Sequence, residues 1–419
     1  MDHNGKPPTE RALTVDEALS RILDGVTPLE AEAVELDAAH GRTLAADVLA
    51  RLTQPPFDAS AMDGYAVRAA DVANLPARLS VVGEAAAGRR FAGHVGAGEA
   101  VRIFTGAPVP SGADAIVIQE NTRVVGDDGS RIEVGSGSVE SEHIRPRGGD
   151  FKQSELLLEA GRVIDTRALI LAAAAGHSTL PARRRPLVAI IPTGDELVPP
   201  GTLPGHDQIV SSNPVGLAAM LRTFGAETIL PGIARDRLDH LVAMMRDVAH
   251  ADIILTTGGA SVGDHDLVRP ALAELGVQLD FWKLAMRPGK PMLFGRIAGR
   301  AETSRRAYLG LPGNPVSAMI TARLFVVPLV AALLGRDAAP LSAIDVPTAM
   351  PLAPNGARQH YMRAVLRTNA AGQSMVAALP NQDSSLLSPL ALANALIVRP
   401  INAPAVSAGT AVPVIGLDF

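Results

Sequence analysis

The feature that most constrains the fold is a regular alternation of two patterns between Arg185 and Gly335. Short apolar runs typical of buried strands are separated by longer stretches typical of helices. The strand-like runs are PLVAII, ETILPGIA, DIILTT, VQLDFWKLAM and RAYLGL. This alternation predicts a parallel sheet with helices on both faces, which is a doubly wound α/β domain.

The chain has 419 residues, which is more than one hydrophobic core usually organises, so we expect several domains. Thr14 and Glu17 have the spacing of a capping box, and the pattern predicts helix from Thr14 to about Ala50 and again from Thr166 to His177. Short β-like runs separated by Gly and Pro predict a compact antiparallel unit between these segments. The predicted domains are a discontinuous helical domain (1–50 and 150–184), an inserted β-rich domain (51–149), the α/β domain (185–335) and a small β domain (336–419).

Composition excludes several classes of protein. The chain has no Cys, which removes disulfides, thiolate nucleophiles and Cys-ligated zinc or iron–sulfur sites and fits a reducing compartment. The polar N-terminus lacks the apolar core of a signal peptide, and the longest apolar stretch, near Leu324 to Leu334, is interrupted by Pro328. A net charge of −5 with both signs interspersed argues against nucleic acid as a partner. We therefore predict a cytoplasmic protein that binds neither nucleic acid nor membrane.

Chemically useful residues follow the predicted strands of the α/β domain. In open parallel sheets, ligands bind beyond the carboxyl ends of the strands, so these positions share one edge. They offer carboxylates, hydroxyls, glycines and one helix N-terminus, for which Asn314 is the predicted N-cap and Pro315 the first helical residue. The residues singled out at this edge are Thr193, Gly194, Asp195, Glu196, Arg235, Asp236, Thr257, Gly258, Gly259, Ser261, Asp266, Pro312, Gly313 and Asn314.

This edge is suited to an anion such as phosphate or molybdate. Glycines let backbone N–H groups approach an anion, and a helix N-terminus carries a partial positive charge. Glu196, Asp236 and Asp266 would repel an anion unless a hard cation lay between them, so we predict that these acids hold Mg²⁺. The basic residues Lys283, Arg287 and Lys290, in FWKLAMRPGKP, can supply countercharge.

Each of these features has an ordinary structural alternative. TGG after a strand can be a simple turn, GDEL can be a loop with a capping acid, and the three basic residues can form a solvated face. His265, between two aspartates, fits a local hydrogen bond better than a metal site. The sequence contains no HxH, HExxH, GxGxxG or GxxxxGK[ST] motif, which argues against zinc, a dinucleotide fold and a P-loop.

The β-rich region contains further polar turns. The stretch PPFDASAMDGYAV contains Asp58, Ser60 and Asp63, IFTGAPVPSGADAIV contains Thr105, and RPRGGDFK contains Arg147. Asp and Ser initiate turns readily, so each stretch taken alone is explained by local structure.

Eight stretches taken together resemble the molybdopterin molybdenumtransferase family, which includes the bacterial MoeA proteins and the E domain of gephyrin. They occur in the family's order and cover most of the chain from about Pro55 to Ala318. The stretches are PPFDASAMDGYAV, RIFTGAPVPSGADAIVIQE, RPRGGDF, IPTGDEL, SSNP, TTGGASVGDHD, FWKLAMRPGKPMLFG and LPGNPVSA.

The resemblance implies a four-part architecture. It consists of a discontinuous helical linker domain, an inserted β domain, a central α/β domain similar to the molybdopterin adenylyltransferases and a C-terminal β-barrel. It also implies an elongated homodimer whose functional cleft lies between the central domain of one subunit and the β insertion of the other.

The implied reaction inserts molybdenum from molybdate into adenylylated molybdopterin with release of AMP, assisted by Mg²⁺. The implied partners are the pterin, the oxyanion, a second copy of the chain and the molybdopterin adenylyltransferase. By motif match the catalytic residues are Asp63, Thr105, Glu196, Asp236 and Asp266. The substrate-binding residues are Thr193, Gly194, Thr257, Gly258, Gly259, Ser261, Lys283, Arg287, Lys290, Pro312, Gly313 and Asn314.

The sequence departs from the family pattern in two places, and two other functions are considered as alternatives. Relatives often have lysine in place of Arg287, and GDHD differs from the usual motif, so Asp264 and His265 receive no role. The rivals are a scaffold that binds without turnover and an enzyme that adenylylates molybdopterin. The retained acids, among them Asp63 and Glu196, favour turnover, and the β insertion and C-terminal domain argue against the adenylyltransferase.

Overall fold

A computed structural model describes residues 12–126, 128–135, 143–258, 267–297, 306–370 and 372–419. These residues fall into two compact units, which are described separately. Unit 1 is formed by the chain up to Glu32, by Gly41–Ala45 and by Pro181–Phe419. Unit 2 is formed by Ala33–His40 and Ala46–Leu180.

The α-helices of the described residues are α1 (Val15–Leu23), α2 (Thr166–Ala174), α3 (Asn213–Thr223), α4 (Leu238–Asp247), α5 (Val268–Glu274), α6 (Pro315–Thr321), α7 (Val327–Leu333) and α8 (Leu387–Leu392). The predicted capping box is present at α1, since the Thr14 hydroxyl accepts the Glu17 N–H and the Glu17 carboxylate accepts the Thr14 N–H. Helix ends at Leu23 rather than near Ala50, because Gly25 adopts positive φ and Pro28 follows.

The strands are β1 (Ala31–Glu35), β2 (Val48–Leu49), β3 (Ala59–Ser60), β4 (Gly64–Val67), β5 (Ala77–Ala85), β6 (Glu99–Ile103), β7 (Ala115–Ile118), β8 (Thr122–Val125), β9 (Arg131–Val134), β10 (Ile144–Arg145), β11 (Leu156–Leu158), β12 (Thr179–Arg183), β13 (Leu187–Pro192), β14 (Leu197–Val198), β15 (Ile209–Val210), β16 (Glu227–Ile229), β17 (Ile253–Thr257), β18 (Gln278–Lys283), β19 (Met286–Arg287), β20 (Pro291–Ile297), β21 (Arg306–Leu311), β22 (Ile344–Pro347), β23 (Gln359–Thr368), β24 (Ser374–Ala378), β25 (Ala395–Arg399) and β26 (Ala411–Gly416).

The α/β domain in unit 1 contains a six-stranded sheet in the order β16-β13-β17-β21-β20-β18. The first four strands are parallel, and β20 and β18 are antiparallel to their neighbours. From β13 the chain passes outward to β16 and then back across to β17. The order therefore reverses between β13 and β17, which is where open α/β sheets bind ligands at their carboxyl edge.

Helices cover both faces of this sheet, as predicted. Successive side chains of β13 point to opposite faces, so Val188 and Ile190 pack with residues of α1, α3, α6 and α7. Ala189 and Ile191 pack on the other face with residues of α4 and α5. All four side chains are fully buried, which explains the continuous apolar run in the sequence.

The helix Pro315–Leu333 is long and apolar enough to span a membrane by length and composition alone, with a mean hydropathy of 2.1. Inside the protein, 83% of its most apolar window is buried. It comprises α6, a π-helical segment (Ala322–Val326) and α7, so Pro328 lies within a continuous helix. Its apolar character is accounted for by the core of unit 1.

The C-terminal strands form a barrel. β24, β23, β25, β26 and β22 pair antiparallel in that order. The ring closes because Thr348, just after β22, bridges to Val376 in β24, and the Ala349 N–H donates to the Val376 carbonyl oxygen at 2.8 Å. A strand from outside this region joins the barrel, since β19 pairs parallel with β23.

Unit 2 contains a six-stranded sheet in the order β7-β4-β6-β5-β9-β8. The prediction of a wholly antiparallel unit was wrong for one pair, because β5 and β6 run parallel. The long connection between Ala85 and Glu99 gives the chain room to return to the same end of the sheet before β6 starts.

Candidate functional site

Backbone hydrogen bonds hold three strand ends together at the carboxyl edge of the α/β sheet. The Thr193 N–H donates to the Thr257 carbonyl oxygen at 3.0 Å, and the Gly258 N–H donates to the Leu311 carbonyl oxygen at 3.2 Å. Gly258 has a φ of +92°, and a Cβ there would lie 2.8 Å from the Thr193 carbonyl oxygen. This crowding requires glycine at position 258, so its backbone faces the space beyond the sheet without a side chain.

A cleft of about 850 Å³ opens at this edge, between the α/β domain and the barrel. On the α/β side it is lined by Gly258, Arg287, Lys290, Pro312, Gly313 and Asn314, which the sequence had singled out. On the barrel side it is lined by Arg358, Asn381, Gln382, Asp383 and Ser384, which sequence reasoning missed. The sequence feature that could have indicated Asn381, Gln382, Asp383 and Ser384 is the polar run PNQDSS between two strands.

Arg287 and Lys290 reach the cleft because their segment leaves the α/β sheet and joins the barrel. Arg287 lies in β19, opposite His360 of β23, and the Leu284 N–H donates to the Lys290 carbonyl oxygen at 3.0 Å. Lys283 lies apart from them, since it is not among the described lining residues and its ammonium lies 4.0 Å from the centre of the Trp282 ring. The structure therefore brings together two of the three predicted basic residues and adds Arg358.

The surroundings of the cleft are electropositive. The His360 side chain beneath β19 is 9% exposed, and burial together with Arg287 and Arg358 lowers its pKa to about 4. Among the described lining residues Asp383 is the carboxylate, and its pKa is lowered because the Ser385 N–H and hydroxyl both donate to it. At neutral pH His360 is therefore uncharged, and the arginines and Lys290 dominate the local field.

The barrel, rather than Asn314, caps the helix that starts at the cleft. Asn314 occupies the N-cap position and Pro315 begins α6, as predicted, but the Asn314 side chain makes no capping hydrogen bond. Its amide Nδ2 donates instead to the Ser384 hydroxyl at 2.9 Å. The Val316 N–H, one of the free donors of the first turn, donates to the Ser384 carbonyl oxygen at 3.1 Å.

The described acids among those predicted in unit 1, Asp195, Glu196 and Asp236, lie near Thr193 and outside the lining of the cleft. The Asp195 N–H donates to the Asp236 carboxylate, and the Asp236 N–H donates to the Asp195 carboxylate, each at 3.3 Å. These two hydrogen bonds connect the two loops. The exposed Glu196 carboxylate folds back over Gly194, where a Cβ would lie 2.3 Å from its oxygen. No group of three His, Cys, Asp or Glu side chains in the described part of the chain is arranged to hold a metal ion.

Part of the predicted site lies outside the described residues. This part comprises Gly259, Ser261 and Asp266, together with Asp264 and His265. The predicted metal-binding trio of Glu196, Asp236 and Asp266 is thus described for its first two members, and its assignment stays a prediction.

In unit 2 two of the predicted catalytic residues, Asp63 and Thr105, are hydrogen-bonded to each other. The Asp63 Oδ1 accepts the backbone N–H and the hydroxyl of Thr105, each at 2.8 Å. These hydrogen bonds, and more weakly the charge of Arg102, lower the pKa of Asp63. The Arg102 guanidinium lies 5.0 Å from the centres of the Tyr65 and Phe104 rings, which fixes it beside this pair.

The third motif of unit 2 joins the first through Asp58. The Arg147 N–H donates to the Asp58 carboxylate at 2.7 Å, and β10 pairs with β3. The Ser60 hydroxyl donates to the Met62 carbonyl oxygen at 2.6 Å, which is a local turn bond. Asp58 and Ser60 thus have structural roles, while Asp63 and Thr105 form an exposed polar pair.

A doubly wound sheet with a cation-lined cleft at its carboxyl edge is typical of proteins that bind anionic small molecules. Family models identify the class further: "MoeA N-terminal region (domain I and II)" matches residues 13–176, "Probable molybdopterin binding domain" matches 189–332 and "MoeA C-terminal region (domain IV)" matches 345–417.

Relatives agree over nearly the whole chain. A molybdopterin molybdenumtransferase of Nostoc sp. is 37% identical, with 93% of this chain and 89% of the relative covered. One from Haemophilus influenzae is 34% identical, with 96% and 98% covered. The crystal structure of a molybdopterin biosynthesis MoeA protein from Pyrococcus horikoshii has a TM-score of 0.83 and 28% identity, with 97% and 99% covered. The chain belongs to the molybdopterin molybdenumtransferase family.

Proposed function

We propose that this chain inserts molybdenum from molybdate into adenylylated molybdopterin, with release of AMP. The observation that carries the proposal is the cation-lined cleft at the carboxyl edge of the sheet, in a chain whose relatives are named molybdopterin molybdenumtransferases. Molybdate and phosphate are both tetrahedral oxyanions. The same set of donors can therefore attract either group.

The lining residues make different contributions to ligand binding. Arg287 and Arg358 present planar guanidinium groups that suit oxyanion oxygens, and Lys290 adds a point charge. The Ser384 hydroxyl accepts a hydrogen bond from Asn314, so its own proton is left to donate into the cleft. Ser384 is held by hydrogen bonds from the Asn314 amide and the Val316 N–H, and a donor fixed in this way stabilises charge that develops during a reaction.

The reaction joins molybdenum to the two dithiolene sulfurs of the pterin, whose protons leave with one molybdate oxygen as water, and a water molecule cleaves the phosphoanhydride so that AMP departs. Both sulfur ligands belong to the substrate, which is consistent with a chain that contains no Cys. A protein nucleophile is not needed. The contribution of the chain is to hold molybdate and the pterin phosphate at reacting distance and to offset their negative charge.

We propose Mg²⁺ as the cofactor, held by Glu196, Asp236 and Asp266. Carboxylate oxygens are the ligands that Mg²⁺ prefers beside phosphates, and Glu196 and Asp236 are both exposed. The Asp236 Oδ2 accepts the Asp195 N–H, and this hydrogen bond orients the carboxylate that we propose as a Mg²⁺ ligand. When bound, Mg²⁺ would neutralise charge on the phosphate.

We also propose that the working form is a cytoplasmic homodimer in which Asp63 and Thr105 of one subunit complete the site of the other. What supports this is that Thr105 is exposed, Asp63 is partly exposed, and the Asp63 carboxylate and the Thr105 hydroxyl bond to each other at the surface of unit 2. The molybdopterin adenylyltransferase is the proposed supplier of the substrate.

The test of the reaction is AMP release. Purified protein given adenylylated molybdopterin, Mg²⁺ and molybdate should release AMP at a rate that depends on molybdate. If no AMP is released while the pterin still binds, the enzyme proposal fails and binding without turnover remains.

The acids and the shared site are tested by substitution. Glu196→Gln and Asp266→Asn should lower activity by orders of magnitude with little change in Tm, whereas the exposed Asp207→Asn should change neither. A matching fall in Tm would assign the acids a structural role. Mixed dimers of Asp63→Asn and Asp266→Asn subunits should regain about half the sites; no recovery after verified exchange would contradict the composite site.

A further inference from the structure

Another cavity of unit 1, of about 560 Å³, opens at the amino edge of the α/β sheet, opposite the cleft. Among its lining residues, Asp252 precedes β17, and Arg306 and Ala307 begin β21, which is the parallel neighbour of β17. At about 3.3 Å per residue, the five residues of β17 place this edge about 16 Å from the carboxyl edge. The cavity is therefore separate from the cleft.

The acids that line this cavity are paired within the protein. The Arg184 guanidinium donates to both carboxylate oxygens of Asp252 at 2.9 Å, and the Leu187 N–H donates to the same carboxylate at 2.7 Å. The Arg184 Nε donates to the Glu30 carboxylate. Because Arg184 is engaged by these two acids, the charge that attracts a ligand has to come from other residues.

Arg306 is the lining residue that can supply this charge. The described lining holds three arginines against two acids, so it carries a net positive charge. Arg296 is fixed at the end of α1, since it donates to the Arg21 and Ile22 carbonyl oxygens at 2.9 and 3.2 Å. Arg306 is half-buried, and within the described part of the chain no hydrogen bond or ion pair engages its guanidinium. Such a guanidinium keeps its planar set of donors for an oxyanion.

The opposite wall of the cavity is apolar. Val26, Leu29 and Leu333 are half-buried and line it. The Leu29 N–H donates to the Leu333 carbonyl oxygen at 2.8 Å, which attaches the loop after α1 to α7. A cavity of this volume is of the size that holds a small molecule. One cationic and one apolar wall together fit a molecule with an anionic end and an apolar body.

We propose that this cavity binds a small phosphomonoester, with its phosphate on Arg306 and its apolar body against Val26, Leu29 and Leu333. A phosphate is favoured over a carboxylate because His250, at the start of the neighbouring strand, also lines the cavity and can donate to a further oxygen. Residues 298–305 lie outside the described residues and are not part of this site. The proposal does not depend on the reaction proposed for the cleft.

Calorimetric titration with phenyl phosphate tests the site. The titration is done in Arg287→Met protein, in which the cleft has lost one of its cations and competes less for the probe. Adding Arg306→Met should weaken binding about tenfold or more, as for the loss of one charged hydrogen-bond donor. Adding Arg306→Lys should weaken it less, since the ammonium keeps the charge but not the planar geometry.

Arg185 offers a matched control. It is also half-buried and precedes β13 at the same edge of the sheet, but it does not line the cavity. Arg185→Met removes the same charge from this edge and should leave the affinity for phenyl phosphate unchanged.

The apolar wall is tested with two further probes. Val26→Ser should weaken the binding of phenyl phosphate and leave that of inorganic phosphate unchanged, because only the first probe has a body to contact Val26. Benzoate should bind more weakly than phenyl phosphate, and equal binding would overturn the assignment to a phosphate.

The site itself would be overturned by undiminished binding after Arg306→Met, or by an equal loss of affinity after Arg185→Met. Arg306→Gln replaces the methionine variant if that variant does not fold. Failure of phenyl phosphate to bind at all would also overturn it. None of these results affects molybdate-dependent AMP release, which tests the cleft.

Discussion

The two sides of the cleft are built differently. The α/β side presents mainly backbone, with Gly258 and Gly313 at strand ends and a helix that begins after Asn314. The barrel side presents side chains. The Arg358 carbonyl oxygen accepts from the Asn355 amide, and the carbonyl oxygen of Asp383, next to Ser384, accepts from the Arg363 guanidinium. A strand end is fixed by its sheet, whereas a loop needs its own supports. The difference teaches that the α/β side combines close approach of its backbone with the side chains of Arg287 and Lys290, whereas the barrel side depends on side chains alone.

The two sides are tied together within unit 1. β19 carries Arg287 from the α/β domain into the barrel sheet, and Asn314 donates to Ser384 across the cleft. The α/β side contributes the cation Arg287 and the neutral donor Asn314, and the barrel side contributes Arg358 and Ser384. Substitutions of matching residues on the two sides can therefore be compared directly.

The largest effect is expected from the two arginines. Arg287→Ala and Arg358→Ala should each lower kcat/KM for molybdate by about 100-fold, as for loss of one strong donor to an oxyanion. Arg287→Lys should retain most activity, since the family resemblance implies that lysine is accepted at this position, and Arg358→Lys should not. Steady-state AMP release measures both. Equal tolerance of lysine at the two positions would remove the proposed difference between the sides.

A smaller effect is expected from adding one carbon to the α/β side. Gly258→Ala places a methyl group 2.8 Å from the Thr193 carbonyl oxygen at a φ of +92° and should cost about 3 kcal/mol of unfolding free energy. Gly201→Ala is the control, since Gly201 has a φ of +89° with nothing within 4 Å and should cost about 1 kcal/mol. Chemical denaturation gives both values, and equal costs would show that the close approach is unimportant.

The link between the two sides should have a modest effect. Asn314→Ala removes the donor to the Ser384 hydroxyl and should weaken molybdate binding at most about fivefold, because a neutral hydrogen bond contributes about 1 kcal/mol. Ser384→Ala should weaken binding more, since it also removes a donor to the ligand. Calorimetric titration of both variants separates the link from the direct contact, and a larger loss in Asn314→Ala would reverse that assignment.

The smallest effect at neutral pH is expected from His360. Its pKa is lowered to about 4, so the unfolded chain binds the proton more tightly and the folded protein loses stability as pH falls from about 6.5 to 4. The loss should reach about 3 kcal/mol and level off below pH 4. In His360→Gln the unfolding free energy should be flatter over this range, by denaturation at several pH values. An unchanged slope would show that other groups titrate there.

Much of the α/β side could be predicted from the sequence. Strand–helix alternation places Thr193, Gly258 and Asn314 after strands, and parallel strands end at one edge, so these residues had to share it. The side-chain bonding of Asn314 could not be predicted, because its partner Ser384 lies 70 residues away in another domain. The parallel β5–β6 pair was missed for a similar reason, since strand direction depends on the path of a long connection.

By itself the sequence determined the family, the alternating α/β core and the charge available for an anion. It left Lys283, Arg287 and Lys290 open between a ligand cluster and a solvated face. The tertiary structure decided where they lie: β19 pairs with the barrel, so Arg287 and Lys290 line the cleft, whereas the Lys283 ammonium lies over the Trp282 ring. Ligand binding by these residues stays a prediction. The physical reason is that local pattern fixes which face of a strand is buried, whereas contacts between distant segments fix what that strand faces.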